Sequence, residues 1–482
     1  MFKDLKGLGR ETAVYGLSTV VGRLLNFFLL PLYTYVFTPA EYGIVTLIFI
    51  CMGFLNVLYS YGMDFAFMRH ADERGAFPTA FWSLAFSSVG FSIIIYCFAT
   101  PLSAVLGTAP EYSQVLRYCA WIPAFDALAL VPFGQLRLRH KAGRYAGIKA
   151  INIVVNLACN YIFLVRWEMG IRGVFLASLT ACALTLILLA PVLASGLRSS
   201  FNPSLYGSLL RFALPMIPGA AASMVVQLID RPILKYLTDD ATVGLYQANY
   251  RLGIFMMMAV NMFDAAWRPF FLQRAQDSGG RKVLARVLTY FTAGASLLFL
   301  FIALFIPHIV ALPLFVGKPL IHPDYWGGLA IVPVVTLGYL FNGIYVNLLA
   351  APALAKRSEL IAYATTLGAS VNVGANLLWI PSWGMMGAAA ATLAAYMAMA
   401  ASLFLMGRKV YPIPYEYRRL GVIAVCLTGV SAGAYFLGLG LSPDKILLRL
   451  FVLSAFPLLL ALAGFFSADE RAALKTMFSL PS

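Results

Sequence analysis

Charged and amide side chains recur at helical spacing inside segments of the sequence that are otherwise apolar. Thr19, Arg23 and Asn26 are separated by four and then three residues, so in a helix they share one face. A guanidinium can bind two oxygens of a phosphate or carboxylate at once and stays charged when it is partly desolvated. The pattern predicts a binding site for an anionic ligand that also accepts hydrogen bonds from amides.

The same spacing returns in the second half of the chain. Ser223, Gln227 and Asp230 lie on one predicted helix face, and Gln247 and Arg251 follow at a spacing of four on the next predicted helix. These faces predict a net cationic wall between the two halves of the chain, with Arg231 and Lys235 near its outer mouth. The predicted substrate-binding residues are Arg23, Asn26, Gln227, Gln247 and Arg251.

Four aspartates are candidates for ion coupling or gating. Asp126 lies deep in an apolar segment, where it either relays a proton or balances an arginine, and the sequence leaves both roles open. Asp230 is a second coupling candidate, although Asp230 or Asp126 could instead neutralise Arg251. Asp64 and Asp264 lie at helix ends, where helix capping or ion pairing between the halves competes with a gating role.

No pattern in the sequence predicts catalysis, a metal site or a cofactor. There is no P-loop, nucleophile elbow or zinc motif, and the four histidines are far apart. The six cysteines lie in apolar segments without a CxxC pair, as small core residues do. We therefore expect a protein that is not an enzyme and has no catalytic residues, no metal and no cofactor.

The elements that carry these residues are membrane-spanning helices. Of 482 residues, 61% are hydrophobic and only 11% are charged, which excludes an ordinary soluble protein. Apolar runs punctuated by charges and prolines predict about fourteen spans. They lie near 12–37, 41–63, 78–100, 112–136, 145–165, 170–196, 207–233, 243–266, 284–306, 326–351, 360–380, 384–406, 418–440 and 444–466.

The formal charge of +15 is spread over short clusters between the apolar runs. Alternate loops and the N-terminus hold about 25 lysines and arginines against about 7 in the other loops, a bias that predicts cytoplasmic termini. The charge is thus a topology signal, and we expect no nucleic-acid partner. The last two predicted spans carry no polar face.

The two halves of the sequence are related, at an offset of about 200 residues. Matching positions include Pro31 with Pro232, Gly43 with Gly244, and the segments NLACN (156–160) and NVGAN (372–376). Six spans per repeat predict parallel repeats, and paired bundles of this kind are typical of transporters. The predicted organisation is a lobe over 1–200, a lobe over 201–408 and an additional helix pair over 409–482.

The sequence resembles the polysaccharide transporter family of the multidrug/oligosaccharidyl-lipid/polysaccharide exporter (MOP) superfamily, which includes the Wzx-type O-antigen flippases. The likeness covers the whole chain and includes the segment TPAEYG (38–43) and the glycine, acid, aromatics and arginine of 62–69. Related lipid II flippases are similar in placing arginines of spans 1 and 8 in a central cavity, where Arg23 and Arg251 occupy comparable positions. An arginine in span 2 is absent here.

The resemblance implies a flippase of the bacterial cytoplasmic membrane that moves an undecaprenyl-pyrophosphate-linked oligosaccharide by alternating access, for surface polysaccharide or O-antigen lipopolysaccharide. Its partners would be this lipid-linked oligosaccharide, membrane lipids and a polymerase or assembly complex. The alternatives are a cation-coupled multidrug antiporter of the same superfamily, expected to carry an acid where span 1 has Arg23, and a membrane glycan ligase or polymerase, which the short loops disfavour.

Overall fold

The structure, a computed structural model, describes residues 22, 27–107, 109–274, 279–313, 317–440, 445–466 and 470. Across these residues the regular elements are helices, and no strand forms. Ten of the described helices are long and apolar enough to cross a membrane. The prediction of an all-α, multi-pass membrane protein is therefore confirmed, whereas a count of about fourteen spans stays a prediction.

The chain forms two compact units. The first comprises Met1–Arg251 and Gly368–Thr392, and the second comprises Leu252–Leu367 and Leu393–Ser482. The first unit continues past residue 200, where the sequence analysis placed a lobe boundary. The lobes over 1–200 and 201–408 and the pair over 409–482 stay a prediction.

The helices of the first unit are mostly membrane-length or arise from the division of a membrane-length segment. They are α1 (Leu29–Val36), α2 (Pro39–Ser60), α3 (Met63–Arg69), α4 (Ala76–Cys97), α5 (Ala99–Val105), α6 (Ser113–Cys119), α7 (Trp121–Leu138), α8 (Ala142–Tyr161), α9 (Ile171–Gly196), α10 (Pro203–Ala213), α11 (Ile217–Leu228), α12 (Asp230–Leu237) and α13 (Asp240–Tyr250).

The remaining helices belong wholly or partly to the second unit, and α18 and α19 each contribute to both units. They are α14 (Ile254–Arg274), α15 (Gly280–Ala311), α16 (Ile331–Leu348), α17 (Ala350–Leu354), α18 (Glu359–Trp383), α19 (Met385–Val410), α20 (Tyr417–Phe436) and α21 (Ile446–Leu462).

Among the predicted spans that are interrupted, two carry predicted binding residues. The span over 207–233 is divided among α10, α11 and α12, and the span over 243–266 is interrupted by a 3₁₀ turn at Arg251–Gly253 between α13 and α14. Prolines account for the first case, because each removes an N–H from the helical ladder and its ring crowds the preceding turn. Both interruptions lie beside residues that the sequence analysis assigned to the binding site.

Local signals fix where α2 begins. Thr38 precedes the helix and its hydroxyl accepts a hydrogen bond from the backbone N–H of Glu41, while the Glu41 carboxylate accepts one from the backbone N–H of Thr38 at 2.9 Å. This capping box satisfies two N–H groups that the helix leaves without partners, and Pro39 supplies a favourable first residue. The capping box explains the TPAEYG segment in physical terms.

Matching positions of the two repeats have matching structural roles. Asp239, the counterpart of Thr38, caps α13 by accepting a hydrogen bond from Thr242 N–H at 2.7 Å. Gly170 and Gly384 begin the matching segments GIRG (170–173) and GMMG (384–387) of the two repeats, and they precede α9 and α19 with φ values of 58° and 52°. Residues with a side chain rarely adopt such positive φ values, so glycine is required at both helix starts.

The paired glycines Gly43 and Gly244 lie where α2 and α13 touch. A Cβ atom at Gly43 would lie 1.9 Å from the carbonyl oxygen of Asp240, and one at Gly244 would lie 1.8 Å from that of Pro39. The contact is reciprocal, since the glycine of each helix faces the first turn of the other. The two backbones can approach this closely only because neither position has a side chain.

We expect Gly43→Ala to destabilise the protein by about 2 kcal/mol, within the range of roughly 1–3 kcal/mol for overpacked sites, because the helices must separate. The measurement is the midpoint of heat unfolding of purified protein in detergent. Gly90→Ala on α4 is the matched control, since a Cβ there meets nothing within 4 Å. Equal midpoints for the two variants would contradict the close contact.

An arginine in α21, the last helix that the structure describes, was not predicted to be part of any polar face. Arg449 of α21 is fully buried, and its guanidinium donates to the carbonyl oxygen of Leu304 on α15 and, at 2.8 Å, to that of Gly440. The prediction that the last two spans carry no polar face is wrong for α21, because Arg449 forms these hydrogen bonds there. Its hydrogen bonds hold α21 against α15 within the second unit.

Replacing Arg449 by methionine keeps much of the apolar stem but leaves both carbonyls without this donor. Each buried group left unsatisfied costs about 1–3 kcal/mol, so we expect a clear fall in the heat-unfolding midpoint. Arg418→Met, at an exposed position of α20, serves as the control. A fall no larger than that of the control would show that the guanidinium does not hold α21 in place.

Candidate functional site

A polar cavity of 460 Å³ lies within the first unit. Helices α1, α2, α7, α8 and α9 line it, and Arg251, at the end of α13, completes the wall. Its volume lies in the range of about 300–1,000 Å³ that is typical of ligand sites. The polar lining residues are Tyr33, Asn56, Asp126, Lys149, Asn152, Asn156, Ser178, Cys182 and Arg251.

The charges of the cavity have both signs. Asp126 on α7 is exposed to the cavity and accepts a hydrogen bond from the Cys182 thiol at 3.2 Å. Lys149 on α8 is exposed and lies 4.6 Å from the ring centroid of Phe133. Arg251 adds a second cation, with its guanidinium carbon 5.9 Å from the ring centroid of Tyr42. These three charged residues leave the cavity with a net positive charge.

Asparagines form one wall of the cavity along α8. Asn160 Nδ2 donates to the backbone and side-chain oxygens of Asn156, at 2.8 and 3.1 Å, and the Tyr33 hydroxyl donates to Asn160 Oδ1 at 2.9 Å. Asn152 Nδ2 donates to the carbonyl oxygen of Ala181 at 2.9 Å. The amides are therefore oriented by the protein before any ligand binds.

The second repeat contains the same asparagine pair in a different setting. Asn376 Nδ2 donates to the backbone and side-chain oxygens of Asn372 at 2.8 and 3.0 Å, which reproduces the geometry of the first repeat. Here both asparagines are fully buried. The predicted correspondence of NLACN with NVGAN is thus a correspondence of hydrogen-bond geometry.

A buried ion pair occupies the junction between α11 and α12. Asp230 and Arg231 are 1% and 2% exposed, and Arg231 Nη1 lies 2.6 Å from Asp230 Oδ1. The other carboxylate oxygen accepts hydrogen bonds from Tyr246 at 2.6 Å and Thr392 at 3.4 Å. The aspartate charge is thus neutralised and its oxygens are hydrogen-bonded.

The break in the helix explains this pair. The backbone N–H of Arg231 donates to Asp230 Oδ1 instead of continuing the helical ladder, and the Arg231 guanidinium donates to the carbonyl oxygen of Gln227 at 2.5 Å. Arg231 Nε also donates to Gln247 Oε1 at 3.1 Å. The side chain of Arg231 therefore replaces the hydrogen bond that the interruption removes and ties α12 to α13.

The structure divides the predicted binding residues. Arg251 lines the cavity, whereas Gln247 is bound to Arg231 and Gln227 is exposed, with its side-chain nitrogen donating to Ser223. Arg23 and Asn26 lie outside the described residues. The assignment of all five residues as substrate ligands stays a prediction.

The predicted coupling and gating aspartates have separate environments. Asp126 lines the cavity and Asp230 is buried with Arg231, so neither forms an ion pair with Arg251 among the described residues. Asp264 pairs with Arg268 at 2.8 Å within α14, and not between the halves. Asp64 lies in the first turn of α3, where the helix dipole favours an acid.

One lysine that the sequence analysis did not single out belongs to the cavity. Lys149 precedes Asn152 and Asn156 by three and seven residues, and all three line the cavity from α8. The spacing is the same signal that singled out Arg23 and Gln227. Lys149 lies close to the predicted start of its span, where lysines commonly reach the membrane surface, so its position in the sequence does not distinguish a cavity residue from a surface residue.

A family model described as "Polysaccharide biosynthesis protein" matches residues 35–315. The chain belongs to this family. The matched region contains α2 to α15 and every described residue of the cavity lining except Leu29 and Tyr33. A comparison with curated proteins found no match.

Solved structures of a lipid II flippase and of multidrug transporters have a similar fold. The lipid II flippase MurJ in an inward closed conformation is similar with a TM-score of 0.71 at 15% identity, covering 93% of this chain and 97% of the other. An inward-facing multidrug resistance MATE transporter gives 0.64 at 15% identity, with coverages of 81% and 97%. A mutant form of the Vibrio cholerae MATE transporter VcmN gives 0.57 at 15% identity, with coverages of 84% and 96%.

Removing the acid of the buried pair should be more damaging than removing both partners. We expect Asp230→Asn to cost about 3–5 kcal/mol, because it leaves the Arg231 charge buried without compensation. The double change Asp230→Asn with Arg231→Gln should recover a large part of that loss. Heat unfolding in detergent of the unaltered protein, the single variants Asp230→Asn and Arg231→Gln, and the double variant gives the coupling energy. Additive losses would mean that the pair is not an energetic unit.

Proposed function

We propose that this family member is a flippase of the bacterial cytoplasmic membrane that moves an undecaprenyl-pyrophosphate-linked oligosaccharide from the inner to the outer leaflet. The observation that supports it most directly is the cavity within the first unit, which places Arg251 and Lys149 together with amides in an otherwise apolar bundle. The wider roles, in surface polysaccharide or O-antigen lipopolysaccharide synthesis and in contact with a polymerase or assembly complex, belong to the same proposal.

The physical need for such a cavity comes from the substrate. A pyrophosphate and the hydroxyls of a glycan cannot cross about 30 Å of hydrocarbon without losing the water bound to them. Arginine, lysine and amide groups replace that hydration. We assign the pyrophosphate to Arg251, with Arg23, Asn26, Gln227 and Gln247 as further head-group ligands, and both termini to the cytoplasm.

Alternating access needs an energy source, and aspartates are the candidates. Asp126 is the stronger candidate for ion coupling because it is exposed to the cavity, whereas Asp230 already has a cationic partner. Asp64 and Asp264 are assigned to gating at helix ends. The driving force in this proposal is a proton gradient, a sodium gradient or the membrane potential alone.

The second candidate function is a cation-coupled multidrug antiporter of the same fold. The exposed carboxylate of Asp126 favours it, since an organic cation needs an acid in the cavity. Lys149 and Arg251 line the same cavity and disfavour it, because they repel a cation. An exporter of an anionic, sugar-bearing lipid agrees better with this set of charges.

The test is flipping of a fluorescent undecaprenyl-pyrophosphate-linked glycan in proteoliposomes. We expect Arg251→Ala to reduce the initial rate by about ten- to a hundredfold, since a hydrogen bond to a charged group contributes about 1.5–3 kcal/mol. Arg251→Lys should keep an intermediate rate, because it retains the charge and loses the planar fork. Arg23→Ala tests the second proposed arginine ligand, on predicted span 1, by the same measurement of the flipping rate.

Arg144→Ala is the control, because Arg144 is exposed on α8 and does not line the cavity. Flipping by the unaltered protein with full activity of both arginine-to-alanine variants would leave the function standing and refute the site. Exchange of organic cations for protons, without movement of the glycolipid, would replace the flippase by the antiporter.

A further inference from the structure

We propose that the polar cavity of the first unit binds an uncharged sugar ring of the glycan, through Asp126, Lys149 and the amides of Asn56 and Asn152. The proposal rests on the function proposed above and adds to it a site for the carbohydrate, separate from the ligands of the pyrophosphate. Arg251 lines the same cavity, so a sugar bound here lies next to the charged head group to which it is covalently linked.

The mixture of charges selects the chemical class of the ligand. Asp126 repels a phosphate, and Lys149 repels an organic cation, so neither kind of ion suits the part of the cavity that these two residues line from α7 and α8. A sugar hydroxyl both donates and accepts hydrogen bonds. It can donate to the carboxylate and accept from the ammonium, so a polyhydroxylated neutral ring uses both charges.

Hydrogen-bonding capacity is left over in the cavity. Within the described part of the chain, the Asn56 amide makes no hydrogen bond and Lys149 forms no salt bridge. The Lys149 ammonium lies over the Phe133 ring and attracts the Asp126 carboxylate through space. The partner of Asp126 is the Cys182 thiol, a weak donor. Inside a membrane-spanning bundle such unused capacity is costly unless water or a ligand fills it.

The asparagine at the centre of the α8 wall is already oriented. Asn152 Nδ2 donates both to the carbonyl oxygen of Ala181 and to the Thr185 hydroxyl, each at 2.9 Å. These two bonds to residues of α9 fix the plane of the Asn152 amide. The side-chain oxygen of Asn152 remains available to accept a hydrogen bond from a ligand. Because the protein fixes the amide in advance, a sugar hydroxyl loses less free energy to ordering when it binds.

A thiol next to the proposed contacts provides a binding readout that does not depend on transport. Cys182 lines the cavity and bonds Asp126, so a ligand that contacts Asp126 covers the thiol. The full chain with Cys182 as its single cysteine is treated with methyl methanethiosulfonate, which is small and neutral. The probes are a short-chain prenyl-pyrophosphate-linked trisaccharide and inorganic pyrophosphate.

We expect the glycan probe to slow modification of Cys182 by about tenfold and inorganic pyrophosphate to leave the rate unchanged. A tenfold change in the rate of modification corresponds to about 1.4 kcal/mol. Lys149→Met and the isosteric Asp126→Asn should each reduce the protection to less than about twofold. A chain with Cys51 as its single cysteine is the matched control, because Cys51 lines a separate, apolar cavity and its rate should not respond.

The outcomes separate this inference from the function on which it rests. If the glycan probe is flipped while Cys182 is modified at the unprotected rate, the sugar binds elsewhere and the flippase stands. Protection by inorganic pyrophosphate would place an anion, and not a sugar, beside Asp126 and Cys182. A Cys182 that never reacts would contradict an open cavity. If the unaltered protein neither binds nor flips the probe, the proposed function falls, and the sugar site with it.

Discussion

A helix inside a membrane has no water with which to hydrogen-bond its polar groups, and the interior of this protein is arranged around that constraint. Where α11 stops before α12, the Arg231 guanidinium takes over the carbonyl that the ladder leaves free, and Asp230 neutralises the arginine. Arg449 satisfies carbonyls of the second unit in the same manner. In the cavity of the first unit, by contrast, polar groups keep unused capacity, and this contrast distinguishes structural polar residues from those available to a ligand.

The sequence predicts the helices well because hydropathy and proline punctuation are local properties. The ends of α9, at Ile171 and Gly196, agree within a residue with the predicted span over 170–196. The interruptions near Ile229 and Arg251 were not predicted, since a proline or a single polar residue inside a membrane helix is compatible with either a continuous or a broken span. Helix breaks depend on which neighbouring side chains replace the lost bonds, and a single segment does not contain that information.

The site was predicted in part for the same reason. The sequence singles out Arg251 because it shares a helix face with Gln247 inside an apolar segment, whereas Lys149 lies near the end of its segment. Arg231 was predicted to face the outer mouth of a cavity, and it is buried against Asp230. Adjacent residues do not face each other on a regular helix, so an Asp–Arg neighbour pair is invisible to a helical-periodicity argument until the helix is broken between α11 and α12.

The reciprocal contact of Gly43 and Gly244 has a consequence for genetics. At each position the atom in the way of a side chain is a backbone carbonyl, of Asp240 in one case and Pro39 in the other. A larger residue at either glycine therefore cannot be accommodated by trimming an opposing side chain. Second-site revertants should instead arise where a substitution changes the course or spacing of a whole helix, and the same revertant should relieve a lesion at either glycine.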